Sequence, residues 1–355
     1  MKRSANSLMD RLGVVSVARA LQRSRAAILT YHGVLNGTAD YDYLNHNFIA
    51  AESFEAQMRY IWRHYRPIAL RELVAAYRDR RTPPAGSVVV TFDDGFANNL
   101  TVALPILKRL SVPFTVFVTT GLLDTPGAML WTERAKRSLF MYPERSVTVP
   151  LAGVDRTLDL SSPAARADAS KAVAQRLKRL SPAARNQALD DLERVCGARP
   201  VQEHERERYR FLTWAEAREM AAAGVEIGSH TVSHPILTTL DDRTLRDELV
   251  ESKRRVETEL AQECLSFAYP NGSPADFGVR EKAVLRESGY QCALSLNGSL
   301  NDRPDLFELD RINVGRQLDP PAFHVAMTGI LGAARRTRNR ILGSGAATVA
   351  AAEEV

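Results

Sequence analysis

Short, continuous apolar runs recur along the chain, and segments with helical periodicity separate them. A continuous apolar run is typical of a strand in a parallel sheet that is covered on both faces. The eight strand candidates lie at 26–34, 66–70, 87–95, 114–120, 225–231, 265–272, 291–296 and 309–314. About seven or eight parallel strands with helices between them predict an α/β fold, a distorted (β/α) barrel with a helical insertion.

Polar and ionisable residues follow the apolar run at the end of four of these strands. The groups are Tyr31-His32, Asp93-Asp94, Ser229-His230 and Tyr269-Pro270-Asn271. In parallel α/β barrels the active site is built at the carboxyl ends of the strands. The four segments therefore predict one common site at that end of the barrel.

The insertion occupies residues 125–210 of a barrel domain that we place at 26–331. It is rich in Ala, Arg and Leu, and Ser-Pro pairs at 162–163 and 181–182 predict two helix starts. Two interpretations stay open for it. It is either a lid or substrate-contacting element on the barrel rim, or a helical elaboration without a role in binding.

The two ends of the chain depart from the barrel pattern. In residues 1–25 apolar positions recur at helical spacing, which predicts an amphipathic helix that packs on the domain or lies on a membrane surface. No stretch approaches the roughly 18 apolar residues of a spanning helix, and "LGVVSVA" is short for an export signal. We therefore expect a cytoplasmic protein, peripheral at the inner membrane face or free of it, with export as the alternative. Residues 332–355 form a low-complexity tail.

Composition and charge indicate which classes of molecule the protein can bind and in which compartment it folds. The 355 residues are 45% hydrophobic and 25% charged, as in ordinary globular proteins, and the net charge of +5 is mild. Basic residues are not interleaved with aromatic ones, which argues against nucleic acid as a partner. The three cysteines, Cys196, Cys264 and Cys292, have no paired spacing, which indicates small buried side chains in a reducing compartment.

The segment "GSHTVSHP" places His230 and His234 four residues apart, directly after a strand candidate. On a helical turn this spacing brings two imidazoles to one face, so that both can bind one ion. One aspartate of "TFDDG" completes three protein ligands and leaves a coordination position open. That pattern is typical of a catalytic divalent metal, because a structural zinc site fills the fourth position with protein.

The adjacency of Asp93 and Asp94 has a chemical explanation in such a site. Neighbouring carboxylates at the end of a buried strand repel each other and lose hydration, so a purely structural pair would cost free energy. A divalent cation neutralises one carboxylate, while the other stays close enough to take a proton from water as a general base. Spacing alone does not say which aspartate has which role.

The motifs "TFDDG", "SHTVSH" and "FAYPNG", in this order, resemble the polysaccharide deacetylases of carbohydrate esterase family 4, the nodulation-type deacetylase domain. "ILTYHGV", about sixty residues before the aspartates, is similar to the poly-N-acetylglucosamine deacetylase branch. The resemblance covers roughly residues 26–124 and 211–315. It implies a metal-dependent hydrolase that removes N-acetyl groups from an amino-sugar-containing polysaccharide, oligosaccharide or glycolipid and releases acetate.

The resemblance also implies a role for each motif residue. Asp93 is the general base, and Asp94, His230 and His234 bind the metal, with Zn²⁺ favoured and Co²⁺, Ni²⁺ or Fe²⁺ as alternatives. His32, in "TYHGV", matches the histidine that protonates the leaving amine. The expected substrate is an N-acetylated glycan or a lipid-linked sugar.

The loop "FAYPNG" matches the loop that lines the acetyl pocket of the family. The resemblance implies Tyr269 as a pocket wall, with Pro270 beside it, and the backbone N–H of Asn271 as an oxyanion donor. Many members carry an arginine where this chain has Ala268, and that arginine holds the base aspartate. We expect Arg311, at the end of the last strand, to supply this charge instead.

Two other functions fit the same residues. The first is a C–N hydrolase of a non-sugar or cyclic amide on the same fold. The second is a catalytically silent glycan-binding module, which the intact Asp-Asp and His-His sets disfavour because a binding module has no need of both.

Overall fold

The computed structural model describes residues 13–37, 46–151, 153–197, 203–302 and 304–330. The first twelve residues of the predicted N-terminal segment at 1–25 and all of the predicted tail at 332–355 lie outside the described residues.

A curled parallel sheet forms the centre of the molecule. The strands are β1 (Ala27–Tyr31), β2 (Val34–Leu35), β3 (Ile49–Ala50), β4 (Arg66–Pro67), β5 (Ser87–Phe92), β6 (Phe114–Val118), β7 (Ser146–Leu151), β8 (Val154–Asp159), β9 (Glu226–Ser229), β10 (Ser266–Ala268), β11 (Cys292–Leu294) and β12 (Ile312–Asn313). The main sheet has the order β11-β10-β9-β6-β5-β1-β12, with β4 paired to the start of β5, and all its pairs are parallel. A bridge from Leu294 to Leu309 brings the two edges of this half-barrel towards each other.

The predicted fold class is confirmed, and each strand of the main sheet lies inside one of the eight predicted ranges. Every residue of β1, β5 and β6 is buried, which explains the continuous apolar runs. The strands end earlier than predicted because the polar motifs after them leave the sheet as loops at its carboxyl edge.

Helices pack on the outer side of the sheet, except for those within residues 125–210, which belong to the insertion. They span Val14–Leu21, Ala51–His64, Leu70–Arg78, Leu104–Arg109, Trp131–Met141, Pro163–Leu177, Pro182–Cys196, Glu203–Tyr209, Trp214–Ala222, Asp242–Leu260, Val279–Glu287 and Pro320–Met327. A π-helical turn at Asn99–Ala103 and a 3₁₀ turn at Leu237–Thr239 complete the regular structure of the described residues.

Residues 125–210 contain a β-hairpin in addition to helices. The strands β7 and β8, which have no counterpart among the eight predicted strands, pair antiparallel between Ser146 and Asp159. The Ser-Pro pairs begin helices as predicted, since the hydroxyl of Ser162 accepts a hydrogen bond from the N–H of Ala165 and that of Ser181 from the N–H of Ala184.

The insertion has a hydrophobic core of its own. This core, which we call the insertion core, contains Trp131, Leu139, Val147, Val149, Leu151, Val173, Leu177, Leu189 and Leu192, among others, together with Ile236. Ile236 belongs to the barrel chain and follows His234 by two positions. The insertion is therefore packed directly against the loop that carries the two histidines.

The helix Val14–Leu21 is amphipathic. Val15 and Ala18 are buried, whereas Val17 is 61% and Leu21 80% exposed. No helix in the described part of the chain is both long and apolar enough to cross a membrane. The three cysteines are free and buried, as expected from their spacing.

Candidate metal centre and active site

The motif residues meet at the carboxyl edge of the sheet. Asp93 and Asp94 directly follow β5, and His230 directly follows β9. Asp94 (φ 72°), His234 (φ 57°) and Asn271 (φ 58°) adopt left-handed backbone conformations, which side chains other than glycine rarely do. Strained backbone of this kind is concentrated at sites where side chains must be aimed at a common point.

Asp94, His230 and His234 form a buried cluster with metal-binding geometry. The Nε2 atoms of His230 and His234 each lie 3.5 Å from Oδ1 of Asp94. One ligand atom of each residue lies within 4.8 Å of the other two. Three ligand atoms converge on one point, as the sequence analysis expects for this set of residues.

The hydrogen bonds around this cluster fit a divalent cation. Nδ1 of His230 donates to the carbonyl of Ala268 at 2.7 Å, which leaves a lone pair on Nε2 pointing at Asp94. Oδ1 of Asp94 is buried and has no hydrogen-bond partner among the described residues. Burial and the nearby charge of Asp93 raise the pKa of Asp94 well above its ordinary value. A cation between the three atoms would satisfy these lone pairs and stabilise the ionised carboxylate.

Asp93 is held differently, in a two-pronged ion pair with Arg311. Its Oδ1 and Oδ2 accept from Nη1 and Nη2 of Arg311 at 2.6 and 2.8 Å, and both side chains are almost fully buried. Burial alone would raise the pKa of Asp93, but the charge and hydrogen bonds of Arg311 outweigh it and hold the pKa at about 2. Arg311 also donates to the hydroxyl of Thr30 and the carbonyl of Ser295. The base candidate is thus ionised and fixed in orientation.

His32 follows β1 and lines the same cavity. Its backbone carbonyl accepts from the side-chain amide of Asn99 at 2.7 Å, and its Nδ1 is buried without a hydrogen-bond partner. Burial, partly opposed by the charge of Asp93, lowers the pKa of His32 to about 4. The imidazole is therefore neutral at neutral pH.

A cavity of about 870 Å³ connects these residues to the insertion. On the barrel side it is lined by His32, the two aspartates, the two histidines and Asn271. On the opposite side it is lined by residues of the helices Trp131–Met141 and Pro163–Leu177. The insertion therefore forms one wall of the cavity, as the first of its two interpretations requires.

The "FAYPNG" loop contributes fewer cavity residues than expected. Asn271 lines the cavity, and its side-chain nitrogen is buried without a partner. Tyr269 does not line it, contrary to the expectation of a pocket wall. Its ring stacks on Phe277 at 3.9 Å and its hydroxyl donates to the carbonyl of Phe307 at 2.9 Å. Pro270 also lies outside the lining residues, and its carbonyl accepts from the N–H of Gly272.

Two positioning residues have no signal in the sequence analysis. Glu248, on the helix Asp242–Leu260, accepts from the N–H groups of Val232 and Ser233 and from the hydroxyl of Ser233. These bonds fix the loop between the two histidines. Asn99 fixes the backbone of His32 in the same way, because its side-chain amide donates to the carbonyl of His32.

Comparison with known proteins matches the chain to a family model described as polysaccharide deacetylase. The match covers residues 80–151 and 192–293, so that it includes both aspartates, both histidines and the "FAYPNG" loop. The residues between the two matched parts fall inside the insertion.

Individual relatives are distant in sequence. YxkH of Bacillus subtilis (strain 168), whose description proposes a polysaccharide deacetylase, is 19% identical over 304 residues, which are 84% of this chain and 75% of the relative. The solved structure of the Streptococcus pyogenes deacetylase PplD in complex with acetate has a TM-score of 0.57 at 19% identity and covers 85% of this chain and 98% of its own. IcaB from Ammonifex degensii has a TM-score of 0.55 at 18% identity, with 85% and 97% covered. These structures share the fold of this chain.

Proposed function

Because the chain belongs to the polysaccharide deacetylase family, we propose that it is a metal-dependent enzyme that removes N-acetyl groups from an amino-sugar-containing glycan or glycolipid. The reaction breaks the amide C–N bond with water and yields acetate and a free amine. The observation that carries the proposal is the pairing of a three-ligand cluster at Asp94, His230 and His234 with a separately held carboxylate at Asp93.

Asp94, His230 and His234 would hold the metal, for which Zn²⁺ is our first choice and Co²⁺, Ni²⁺ and Fe²⁺ are alternatives. When bound, a divalent cation polarises the acetyl carbonyl and makes water more acidic. His230 is prepared for this role because its Nδ1–H is already donated to the carbonyl of Ala268.

Asp93 takes the proton from the attacking water as the general base. Arg311 keeps its carboxylate ionised and turned in one direction, so that no reorganisation is needed when the proton moves. The backbone N–H of Asn271 donates to the acetyl oxygen as negative charge develops there.

His32 delivers a proton to the leaving nitrogen. Since burial lowers its pKa to about 4, the ring enters the reaction neutral, and the proton that it passes on reaches it during turnover. This proton comes from Asp93, which has taken it from the attacking water and whose charge acts on the ring of His32.

Acetate release from N-acetylated chito-oligomers tests this proposal. We expect release by the purified protein, loss of release after treatment with EDTA, and recovery when Zn²⁺ is added back. A panel of non-sugar and cyclic amides serves as the comparison. If only amides of that panel were cleaved, the substrate would be a non-sugar or cyclic amide and not an N-acetylated glycan. If the protein bound metal but cleaved no amide, the glycan-binding module would be the better interpretation.

We further propose that the enzyme lies at an anionic membrane surface, where a lipid-linked sugar is a second candidate substrate. The helix Val14–Leu21 exposes Val14, Val17 and Leu21 along one side, and the exposed Arg23 follows its end, whereas the guanidinium of Arg19 lies 5.9 Å from the ring of Tyr65. An apolar stripe next to basic side chains is typical of helices that lie in a membrane interface.

Vesicle co-sedimentation tests this placement. We expect binding to vesicles containing phosphatidylglycerol, little binding to pure phosphatidylcholine, and a roughly tenfold loss of binding in Val17→Ser/Leu21→Ser. Val279→Ser is the matched control, because Val279 is 86% exposed on a different helix. Equal binding by the double variant and the control would contradict the placement.

A further inference from the structure

Lys178 of the insertion forms an ion pair with a buried carboxylate of the barrel. Its Nζ lies 2.8 Å from Oδ1 and 2.9 Å from Oδ2 of Asp276, whose side chain is only 2% exposed. Lys178 directly follows the helix Pro163–Leu177, and the fully buried Leu177 anchors that helix end in the insertion core. Because the carboxylate is buried, loss of the ammonium would leave it without a counter-charge.

Asp276 also holds the loop that carries Asn271. Its Oδ2 accepts from the hydroxyl of Ser273 and, at 2.9 Å, from the N–H of Ser273. Its own N–H donates to the carbonyl of Ser273 at 2.9 Å. Ser273 directly follows the "FAYPNG" motif, so one carboxylate joins Lys178 of the insertion to the end of this active-site loop.

The loop needs such support because two successive residues have left-handed backbone conformations. These are Asn271 (φ 58°) and Gly272 (φ 62°). A strained conformation persists only where the surrounding structure over-determines it. The carbonyl of Gly272 accepts from the N–H of Leu296 at 2.7 Å, and the hydrogen bonds of Ser273 fix the chain directly afterwards. The direction of the N–H of Asn271 is set by this conformation.

The insertion holds the loop of the two histidines by packing. Ile236, just after that loop, belongs to the insertion core. The buried Arg185 has its guanidinium carbon 5.1 Å from the ring centre of Trp131, and Glu248, which fixes the histidine loop, is near enough to act on the pKa of Arg185. Both active-site loops are thus attached to the insertion, but the loop of Asn271 depends on a pair of charges that one substitution breaks.

We propose that Lys178 is a positioning residue for the reaction, because its ion pair with Asp276 holds the loop in which the N–H of Asn271 meets the developing oxyanion. The inference rests on the proposed function and adds a contribution of the insertion to catalysis. Lys178 lies outside the residues matched by the family model, so the ion pair depends on this chain's own insertion. A misplacement of about 1 Å in a catalytic group can cost about 10²-fold in rate.

Kinetics tests the positioning role. We expect Lys178→Met to lower kcat about tenfold to a hundredfold with KM within about threefold, because an oxyanion donor acts mainly on the transition state. Lys178→Arg keeps a cation and should recover kcat to within about threefold of the unmodified enzyme.

Asp276→Asn separates positioning from substrate contact, since Lys178 lines the cavity and Asp276 does not. The asparagine keeps an acceptor for Ser273 but loses the charge that pairs with Lys178. We expect kcat to fall about as far as in Lys178→Met, and no further in Lys178→Met/Asp276→Asn. A rise in KM alone in Lys178→Met, with Asp276→Asn unchanged, would mean direct substrate contact and would overturn the proposal.

Hydrogen exchange provides a readout that does not depend on turnover. The amides of segment 269–277, followed by mass spectrometry, are expected to exchange about tenfold faster in Lys178→Met, because the loop opens more easily without the ion pair. In Lys178→Arg the exchange should stay close to that of the unmodified protein. Segment 225–229, which contains β9, serves as the internal reference and should not change.

Arg134 offers a matched control because its ion pair lies within the insertion. It pairs with Glu193 at 2.8 Å and Asp190 at 2.9 Å, its side chain is 29% exposed against 32% for Lys178, and it does not line the cavity. Arg134→Met is expected to lower the melting temperature without changing kcat or the exchange of segment 269–277.

Equal losses of kcat in Lys178→Met and Arg134→Met, or no effect of Lys178→Met on kcat and exchange, would overturn the positioning role. If the unmodified protein releases no acetate from any glycan, the proposed function fails instead. The exchange of segment 269–277 then decides by itself whether Lys178 holds the loop.

Discussion

Replacing His230 by alanine is expected to remove both the metal and the activity, whereas replacing Asp93 by asparagine should remove the activity and leave the metal bound. His230 offers its Nε2 to the cluster, 3.5 Å from Asp94, and its loss leaves only two ligands. Asp93 faces Arg311 with both oxygens and is not part of the cluster. Loss of a general base typically lowers the rate by about 10²–10⁴-fold.

Metal content after dialysis, measured by mass spectrometry beside acetate release, decides this prediction. His324→Ala is the control for loss of a histidine, because His324 stacks on Tyr60, remote from the cluster. It should keep both metal and activity. Loss of metal in Asp93→Asn, with metal retained in Asp94→Asn, would reverse the roles that we assign to the two aspartates.

Replacing Arg311 by methionine is expected to cost about 3–5 kcal/mol of folding stability and most of the activity. The substitution leaves the carboxylate of Asp93 buried without its partner. Because a buried carboxylate has lost its hydration and no longer has an opposite charge beside it, the folded state is destabilised. It also removes the charge that keeps the pKa of Asp93 low, so less of the base is ionised.

A double-mutant cycle separates the two effects of Arg311. Arg311→Met/Asp93→Asn removes both charges, so chemical denaturation should show it to be more stable than Arg311→Met alone, while activity stays absent. A rate within a few-fold of the unmodified enzyme in Arg311→Met would refute the positioning role of this arginine.

The barrel was predictable because its strands carry a strong local signal. Buried parallel strands appear as continuous apolar runs, and the chemistry follows directly after them in "TFDDG" and "GSHTVSH". Asp94, His230 and His234 are then expected to lie close together, because parallel strands present their carboxyl ends at one edge of the sheet.

What escaped prediction depends on contacts between distant parts of the chain. Arg185 and Glu248 lie on helices whose sequence gives no sign of what they touch. Strand β7 did alternate apolar and polar residues, but the Ala- and Arg-rich helices around it dominated the interpretation. The packing of Tyr269 against Phe277 and Phe307 is not predictable from its motif, because a loop motif identifies a residue without fixing the direction of its side chain.

The position of Ile236 links the two halves of the molecule energetically. Because this residue belongs to the insertion core and lies two positions from His234, order in the metal-ligand loop and order in the insertion are parts of one cooperative unit. A cation held by Asp94, His230 and His234 would therefore also stabilise the cavity wall that the insertion provides, and by thermodynamic reciprocity a ligand on that wall would favour the occupied cluster.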